Sequence, residues 1–320
     1  MTKRLDIVDF LRGFSIFTIA LMHLVQSYDL PSALNKAASF GGAGVHVFIL
    51  CSGFGLYLSY LHKPLSYVNF LKRRFTKIYL PYIIIIFLSA FWSLYNSGAF
   101  DWQAVLSHVF LYKMFSPTYE SSLGGQMWFV STIIQFYIFW PATVWIAKKK
   151  HSLLYGLLIS LSWATFVGML GFEGERVWNS FFLQYVWEFV LGMWLANRYY
   201  SSPESRINPQ WSYVCGGVVI GMALAGFMAW NGGILKLYND IPSLLGYLSL
   251  LLFIYKLGMP IVNRFFCYTN RISYEWYLVH CLAFAIVKTL LGGAMPVSME
   301  MFLSFISSYI IAWIYNKALR

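Results

Sequence analysis

Long apolar stretches, separated by short polar or basic segments, recur along nearly the whole chain. Each stretch has roughly the 17 to 25 residues that a helix needs to cross the hydrocarbon core of a bilayer. Because backbone polar groups inside lipid must be satisfied within the protein, spans of this length are expected to be helical. The pattern predicts an all-α polytopic membrane protein with ten transmembrane helices, at 7–26, 40–61, 76–96, 127–147, 152–171, 178–198, 211–230, 240–257, 271–291 and 297–317.

The segments between these spans are short, which favours a single integral-membrane domain over residues 1–320. No linker is long enough to hold a soluble domain, and the first apolar stretch lacks the small-residue cleavage site of a signal peptide, so we expect a retained span. The loop at 97–126 is the longest. Its apolar positions in 102–115 follow helical spacing but are too few to span, and they predict one short interfacial helix.

Composition agrees with this class of protein: 59% of the residues are hydrophobic, 20% are aromatic and only 11% are charged. These fractions exclude an ordinary soluble domain. The four cysteines are scattered without a CxxC pair, so neither a disulfide framework nor a zinc site is predicted. The chain also lacks the Walker, GxGxxG, HExxH and GxSxG motifs, which argues against nucleotide-loop, zinc-protease and serine-hydrolase chemistry.

The formal net charge of +11 follows the loops rather than forming a nucleic-acid patch. Of the 23 Lys and Arg residues, seventeen lie in the set of loops that contains both termini. Since cytoplasmic loops are enriched in these residues, both termini are predicted to be cytoplasmic, with membrane lipid as partner and no nucleic acid. The opposite set of loops contains only Lys36, Lys113, Arg176 and Lys236.

The first span carries two side chains that are expensive inside a membrane, Arg12 and His23. Eleven residues at about 100° each bring them to one face of a helix, roughly 16 Å apart along its axis. A cation near one mouth and a titratable base near the other favour a path through the protein. The alternative is that His23 only packs while Arg12 extends to the headgroups.

A basic cluster opens the third span, where guanidinium groups suit phosphate binding but equally anchor a helix to anionic lipid. Other polar residues lie inside predicted spans and are weaker candidates, because a buried acid or imidazole also serves to bridge helices. His46 is predicted at a depth similar to that of His23, so the two either line one cavity or pack separately. The basic cluster comprises Lys72, Arg73, Arg74 and Lys77, and the weaker candidates are Asp9, His46, Glu188, Glu275 and His280.

Five short motifs occur in order between residues 5 and 282. They are Asp9 to Gly13 followed by His23, Gly44-Val45 through Ser52-Gly53-Phe54, Arg73-Arg74 with Lys77 and Pro81-Tyr82, Gln126 to Phe129 with Tyr137 and Pro141, and Ser273-Tyr274 with Tyr277-Leu278 and His280. Together they resemble the integral-membrane acyltransferase-3 family, which transfers acyl groups to extracytoplasmic glycans and related acceptors. The family's third motif usually has Arg at both ends of an RxxR unit, whereas here the second position is Lys77, which retains the charge without the planar fork.

The resemblance implies that a short acyl group, acetyl in the first instance, moves from cytoplasmic acyl-CoA to a hydroxyl of an extracytoplasmic glycan. We expect His23 to act as general base with Arg12 beside the reaction path, and no metal to take part. The donor's phosphates are expected on Arg12, Arg73, Arg74 and Lys77, with Asp9 orienting Arg12. A multi-pass protein of the bacterial plasma membrane is implied.

Two other functions use the same features. A transporter or export component for polysaccharide or lipid-linked glycan also has many spans, internal charges and glycines, although no inverted repeat is apparent. A lipid-binding scaffold explains the basic loops but not Arg12 and His23 together. Within the acyltransferase hypothesis, two mechanisms are open: direct transfer to the acceptor, and a relay through an acyl-histidine intermediate.

Overall fold

The computed structural model describes residues 5–202 and 209–320. Lys3, Arg4 and Arg206, which the charge count includes, lie outside the described residues. All regular structure in the described ranges is helical, with five short 3-10 helices beside the α-helices. The α-helices are α1 (Asp6–Gln26), α2 (Ser32–Ser39), α3 (Gly44–His62), α4 (Tyr67–Ser97), α5 (Trp102–Val109), α6 (Trp128–Ile138), α7 (Trp140–Ala147), α8 (Ser152–Met169), α9 (Arg176–Asn179), α10 (Val186–Ser201), α11 (Trp211–Asn231), α12 (Leu235–Tyr238), α13 (Asp240–Lys256), α14 (Pro260–Thr269), α15 (Ser273–Leu291) and α16 (Val297–Ala318).

Seven helical segments in the described ranges are long and apolar enough to cross a membrane, and a bent pair adds an eighth. The prediction of an all-α, multi-pass membrane protein is therefore confirmed. The predicted spans at 178–198 and 240–257 correspond to α10 and α13, which have 16 and 17 residues. A straight helix needs about 20 residues to cross the hydrocarbon core, so these two spans, and with them the count of ten, stay predictions.

The bent pair is the predicted span at 127–147, which the structure divides into α6 and α7 at an angle of 66°. Pro141 lies in the first turn of α7. Proline has no N–H for the helical ladder and its ring clashes with the preceding turn, so the first helix stops and a second begins. The break at Phe139 is thus encoded locally.

The third predicted span begins nine residues earlier than its apolar pattern, because α4 runs for 31 residues from Tyr67 to Ser97. At about 1.5 Å per residue, a helix of this length exceeds a hydrocarbon core of about 30 Å by several turns. The excess lies at the N-terminal end, which carries the basic cluster. Side chains from Lys72 to Lys77 are therefore presented at one membrane surface.

Glycines allow α3 and α10 to pack closely against each other. A Cβ at Gly53 would lie 2.1 Å from the Phe189 carbonyl oxygen, and one at Gly192 would lie 2.0 Å from that of Leu50. Only hydrogen fits at either position, as in close helix packing generally. Gly55 differs, because a Cβ there would meet nothing within 4 Å.

The long loop contains the predicted interfacial helix in shortened form. Helix α5 ends at Val109, and Leu111 has φ 60° and Leu123 φ 48°, the left-handed conformation that ordinary residues rarely adopt. These two positions fold the segment between them back on itself. A short 3-10 helix at Gly125–Met127 then leads into α6.

Candidate active site

A cavity of about 920 Å³ extends into the protein from the N-terminal end of α1. Its wall along α1 runs from Arg12 to Ile19, seven residues or about 10 Å of helix axis. Gly55 lies in the opposite wall, where its missing side chain leaves space open. Four further cationic side chains line the cavity, with Glu275 as the acidic one: Arg74, Lys77, Arg271 and Arg320.

Two of these guanidinium groups have unused hydrogen-bond donors. Within the described residues, the Nε atoms of Arg12 and Arg74 are buried and have no hydrogen-bond partner. Arg12 lies 5.6 Å from the centroid of the Phe48 ring, and Arg74 lies 5.7 Å from that of Phe70. A buried guanidinium N–H without an acceptor is costly, so this mouth of the cavity suits a ligand with negative charge.

The basic cluster of α4 divides between two surfaces. Arg74 and Lys77 line the cavity, whereas Arg73 is exposed and does not. Asp9 accepts a hydrogen bond of 2.7 Å from the Asn270 side chain. The roles predicted for Arg73 in phosphate binding and for Asp9 in orienting Arg12 stay predictions.

His23 meets His280 at the far end of α1, where His23 Nδ1 and His280 Nε2 are 2.8 Å apart. His280 is fully buried, and its Nδ1 lies 2.9 Å from the Trp276 carbonyl oxygen. A carbonyl only accepts, so His280 Nδ1 carries a proton and the Nε2 of the neutral ring is an acceptor. His23 Nδ1 therefore donates to His280, and the remaining lone pair is on His23 Nε2.

The cavity stops short of this histidine pair. Its inner end is formed by Ile19, Phe129 and Tyr277, and the two aromatic rings are 5.6 Å apart between centroids. His23 lies one helical turn beyond Ile19, about 6 Å further along the axis. The path from Arg12 to His23 therefore stays a prediction, since the cavity ends before it reaches His23.

Donor atoms of His23, His280 and Cys281 all lie within 4.8 Å of one another, a spacing that a metal ion could use. Two imidazole ligands of one tetrahedral zinc ion, each at about 2.05 Å from the metal, would be about 3.3 Å apart. The 2.8 Å separation of the histidine nitrogens fits a shared proton better. The absence of a metal role stays a prediction.

His46 and Glu188 form a separate pair, with His46 Nδ1 2.7 Å from a Glu188 carboxylate oxygen. The other ring nitrogen faces Asp240 at 3.7 Å. Gln184 donates to the same Asp240 carboxylate at 2.7 Å. The Nδ1 contact is at hydrogen-bond distance, whereas 3.7 Å exceeds one, so Glu188 is the direct partner of His46 and Asp240 is the second acidic neighbour. His46 and His23 therefore have different partners, and a shared cavity for the two stays a prediction.

The long loop contacts α15 at Tyr277, one helical turn from His280. The Tyr277 hydroxyl donates to the Gln126 carbonyl oxygen, and the Tyr277 and His280 ring centroids are 6.2 Å apart. In the same loop, His108 lies between the Tyr82 hydroxyl at 2.5 Å and the Ser122 carbonyl at 3.0 Å. Burial lowers the pKa of His108 to about 3, with the Lys113 charge as a further cause, so the ring is neutral.

An acyltransferase-domain family model matches residues 5–317 of the chain. The chain belongs to the acyltransferase-3 family. Neither the curated proteins nor the solved structures yield a match. Membership supports acyltransferase chemistry for this membrane protein, while the donor, the acceptor and the residue roles are matters for proposal.

Several residues of this acyltransferase site were not predicted from its sequence. Asp240 and Gln184 complete the surroundings of His46 from distant segments, and Tyr277 was noted only as part of a motif. Lys113 and Arg176 were counted as loop charges. Their position near the histidine pair has no local sequence signal, although the scarcity of cations in the loops predicted to be outside could have drawn attention to them.

Proposed function

We propose that this acyltransferase moves a short acyl group, acetyl in the first instance, from acyl-CoA to a hydroxyl of an extracytoplasmic glycan or a related acceptor. One observation carries the proposal. A cavity with unpartnered guanidinium groups at its mouth leads along α1 towards an imidazole whose lone pair is defined by a second, buried histidine. The protein is proposed to lie in the bacterial plasma membrane with this mouth on the cytoplasmic side.

The mouth fits a donor that carries phosphates. Arg12 and Arg74 each have a free Nε donor there, and guanidinium groups bind phosphate oxygens through charge-assisted hydrogen bonds. The roughly 16 Å between Arg12 and His23 along the helix allows the nucleotide to stay at the mouth while a slender pantetheine arm extends inward. The thioester would then pass Phe129 and Tyr277 to reach His23.

His23 Nε2 is the proposed general base. It accepts the proton of the acceptor hydroxyl as the hydroxyl oxygen attacks the thioester carbonyl carbon. The tetrahedral intermediate collapses by breaking the carbon–sulfur bond, and the imidazolium returns the proton to the departing sulfur, so CoA leaves as a thiol. Such acid–base catalysis contributes about 10² to 10⁴-fold to rate.

His280 is the proposed positioning residue for this step. Because its Nδ1–H is committed to the Trp276 carbonyl, its Nε2 accepts from His23 Nδ1–H and stabilises the imidazolium that forms. In an acyl-histidine relay, the same His23 lone pair would instead attack the thioester. Rapid-quench detection of an acylated His23 before acceptor is added would identify that route.

The test is CoA thiol release by purified protein in detergent, with acetyl-CoA and a glycan acceptor. His23→Ala should abolish release while expression and membrane insertion persist. His62→Ala is the control, because His62 is an exposed histidine that contacts the Leu58 carbonyl of its own turn and the Tyr200 ring, both away from the cavity lining. Retained turnover in His23→Ala removes the catalytic assignment, and glycan transport without thiol release would favour the transporter.

The donor site has its own matched pair of variants on neighbouring positions. Arg74→Gln should raise the KM for acetyl-CoA by about tenfold or more, since it removes a charge-assisted contact. Arg73→Gln removes the same charge from the same helix, but Arg73 is exposed outside the cavity. Equal effects of the two substitutions would favour the lipid-anchor explanation of the cluster.

A further inference from the structure

Two cations lie together at the His23 end of the protein, on loops that are otherwise poor in positive charge. Lys113 belongs to the long loop before α6, and Arg176 begins α9. Arg176 is within electrostatic range of Lys113 and of His23. They are two of only four Lys and Arg residues in the predicted outer loops.

Lys113 is fully buried, and no carboxylate among the described residues is in ion-pair contact with it. Its ammonium donates to two backbone carbonyls at long distance, that of Gly124 at 3.3 Å and that of Ser122 at 3.5 Å. Burial lowers the pKa of Lys113 to about 8, and the nearby Arg176 lowers it too while Glu120 opposes the shift, so the group is largely charged at pH 7. The long loop thus carries a buried positive charge.

Arg176 is exposed, and its guanidinium lies 5.6 Å from the centroid of the Trp128 ring. Within the described residues the ion pairs are those of His46, so neither Arg176 nor Lys113 has a carboxylate in contact. Two like charges at close range repel each other, and an incoming anion relieves that repulsion. Arg176 is accessible to such an anion and presents a planar set of donors.

The location relative to the reacting groups follows from a chain of contacts. Trp128, beneath Arg176, opens the helix that follows Gln126, and the Gln126 carbonyl accepts from Tyr277. The Tyr277 ring is 6.2 Å from that of His280, which binds His23. Arg176 therefore lies on the acceptor side of the base, at the opposite end of α1 from the cavity mouth.

We propose that Arg176, with Lys113 adding positive potential, forms an anion-binding subsite for an acceptor that carries a phosphate or carboxylate group near its reactive hydroxyl. This inference rests on the proposed function, because the bound sugar is taken to be the acyl acceptor. Binding of the anion can nevertheless be measured without an acyl donor. The subsite selects acidic sugars over neutral ones and directs their hydroxyl towards His23.

The experiment measures equilibrium binding of three matched sugars to the purified full chain without acyl donor: glucose, glucuronate and glucose 6-phosphate. At low ionic strength the two acidic sugars should bind about tenfold or more tightly than glucose, and salt should reduce the difference. Comparing the affinity for glucuronate with that for glucose 6-phosphate identifies whether the subsite prefers a carboxylate or a phosphate. Inorganic phosphate should compete with either acidic sugar.

Arg176→Gln should remove the preference for acidic sugars. Arg176→Lys should keep part of it, because lysine retains the charge but loses the planar packing on Trp128. Lys236→Gln is the control, because it removes an exposed outer-loop cation from another segment. Equal binding of acidic and neutral sugars to the wild type, or an undiminished preference in Arg176→Gln, would overturn the subsite. If acidic and neutral sugars bind equally while acyl transfer to a neutral acceptor is observed, the subsite is rejected and the acyltransferase function is kept. If acidic sugars bind selectively but no acyl transfer occurs, the acyltransferase function is rejected and the subsite is kept.

Discussion

His280 and His46 are both histidines inside the helical bundle, yet their neighbours give them opposite properties. A carbonyl at one nitrogen of His280 leaves the other as an acceptor for His23. Carboxylate oxygens lie 2.7 Å and 3.7 Å from the two nitrogens of His46, so that ring has acidic neighbours on both sides. The residue type alone does not separate a positioning histidine from a cation in an ion-pair cluster.

Replacing His280 tests the tautomer argument. His280→Ala should lower kcat by about 10-fold to 100-fold, because His23 loses the acceptor that defines its lone pair, while the KM for acetyl-CoA changes little. His280→Gln should recover part of the rate, since its side-chain oxygen can accept from His23 Nδ1–H. A Gln variant no better than Ala, with both folded, would contradict the positioning role.

Lys113 predicts a dependence of stability on pH with an unusual sign. Its pKa is lowered from the ordinary 10.5 to about 8 by burial, so between these values the unfolded chain holds a proton that the folded protein has lost. The free energy of unfolding therefore rises with pH over that window. Below pH 8 the folded protein must bury the charged ammonium, which lowers its stability. The melting temperature of Lys113→Met minus that of wild type should fall between pH 7 and pH 10. The exposed Lys36→Met is the control, and a flat difference for Lys113→Met would refute the shift.

Among the elements, the spans that departed from their apolar pattern did so for local reasons. Pro141 divides the span at 127–147, and the basic N-terminal extension of α4 was hidden because hydropathy ignores polar residues that continue a helix. Helix α10 is shortened by a preceding 3-10 turn at Phe182–Tyr185. Hydropathy thus located the helices well, and their ends and bends less well.

The contact of α3 with α10 depends on the absence of side chains at Gly53 and Gly192. Gly192→Ala should lower the melting temperature in detergent, because the added methyl would overlap the Leu50 carbonyl and overpacking typically costs about 1–3 kcal/mol. Gly216→Ala is the matched control, since a Cβ at Gly216 in α11 would meet nothing within 4 Å. If both variants melt alike, the two helices are not held by this close approach.

For the whole molecule, the loop charges predict a sidedness that the helix coordinates alone do not test. In a variant without the four native cysteines, Ser116→Cys should react with an impermeant maleimide from outside intact cells. Lys149→Cys, from the short turn between α7 and α8, should react only after the membrane is opened. The reverse pattern would place the cavity mouth outside and remove the cytoplasmic donor.

Arg12 and His23 were predicted on one face of one helix from spacing alone, and the placement of Arg74 and Lys77 at the same cavity agrees with the motif. Arg73 differs from Arg74 by one position, or about 100° of helix, and only the packed structure shows which of them lines the cavity. The partners of His23 and His46 are His280 and Glu188, 257 and 142 residues away in sequence. Pairings at such separations leave no trace in periodicity.

By itself the sequence determined the helical membrane class, the position of most spans and the side of α1 that carries its polar residues, because the period of a helix and the thickness of a bilayer are properties of the local chain. Only the tertiary structure decided that a cavity connects Arg12 with Ile19, that a carbonyl of Trp276 defines the His23 lone pair, and that Lys113 and Arg176 come together. These depend on how helices far apart in the chain pack side by side, and short-range patterns do not encode that arrangement.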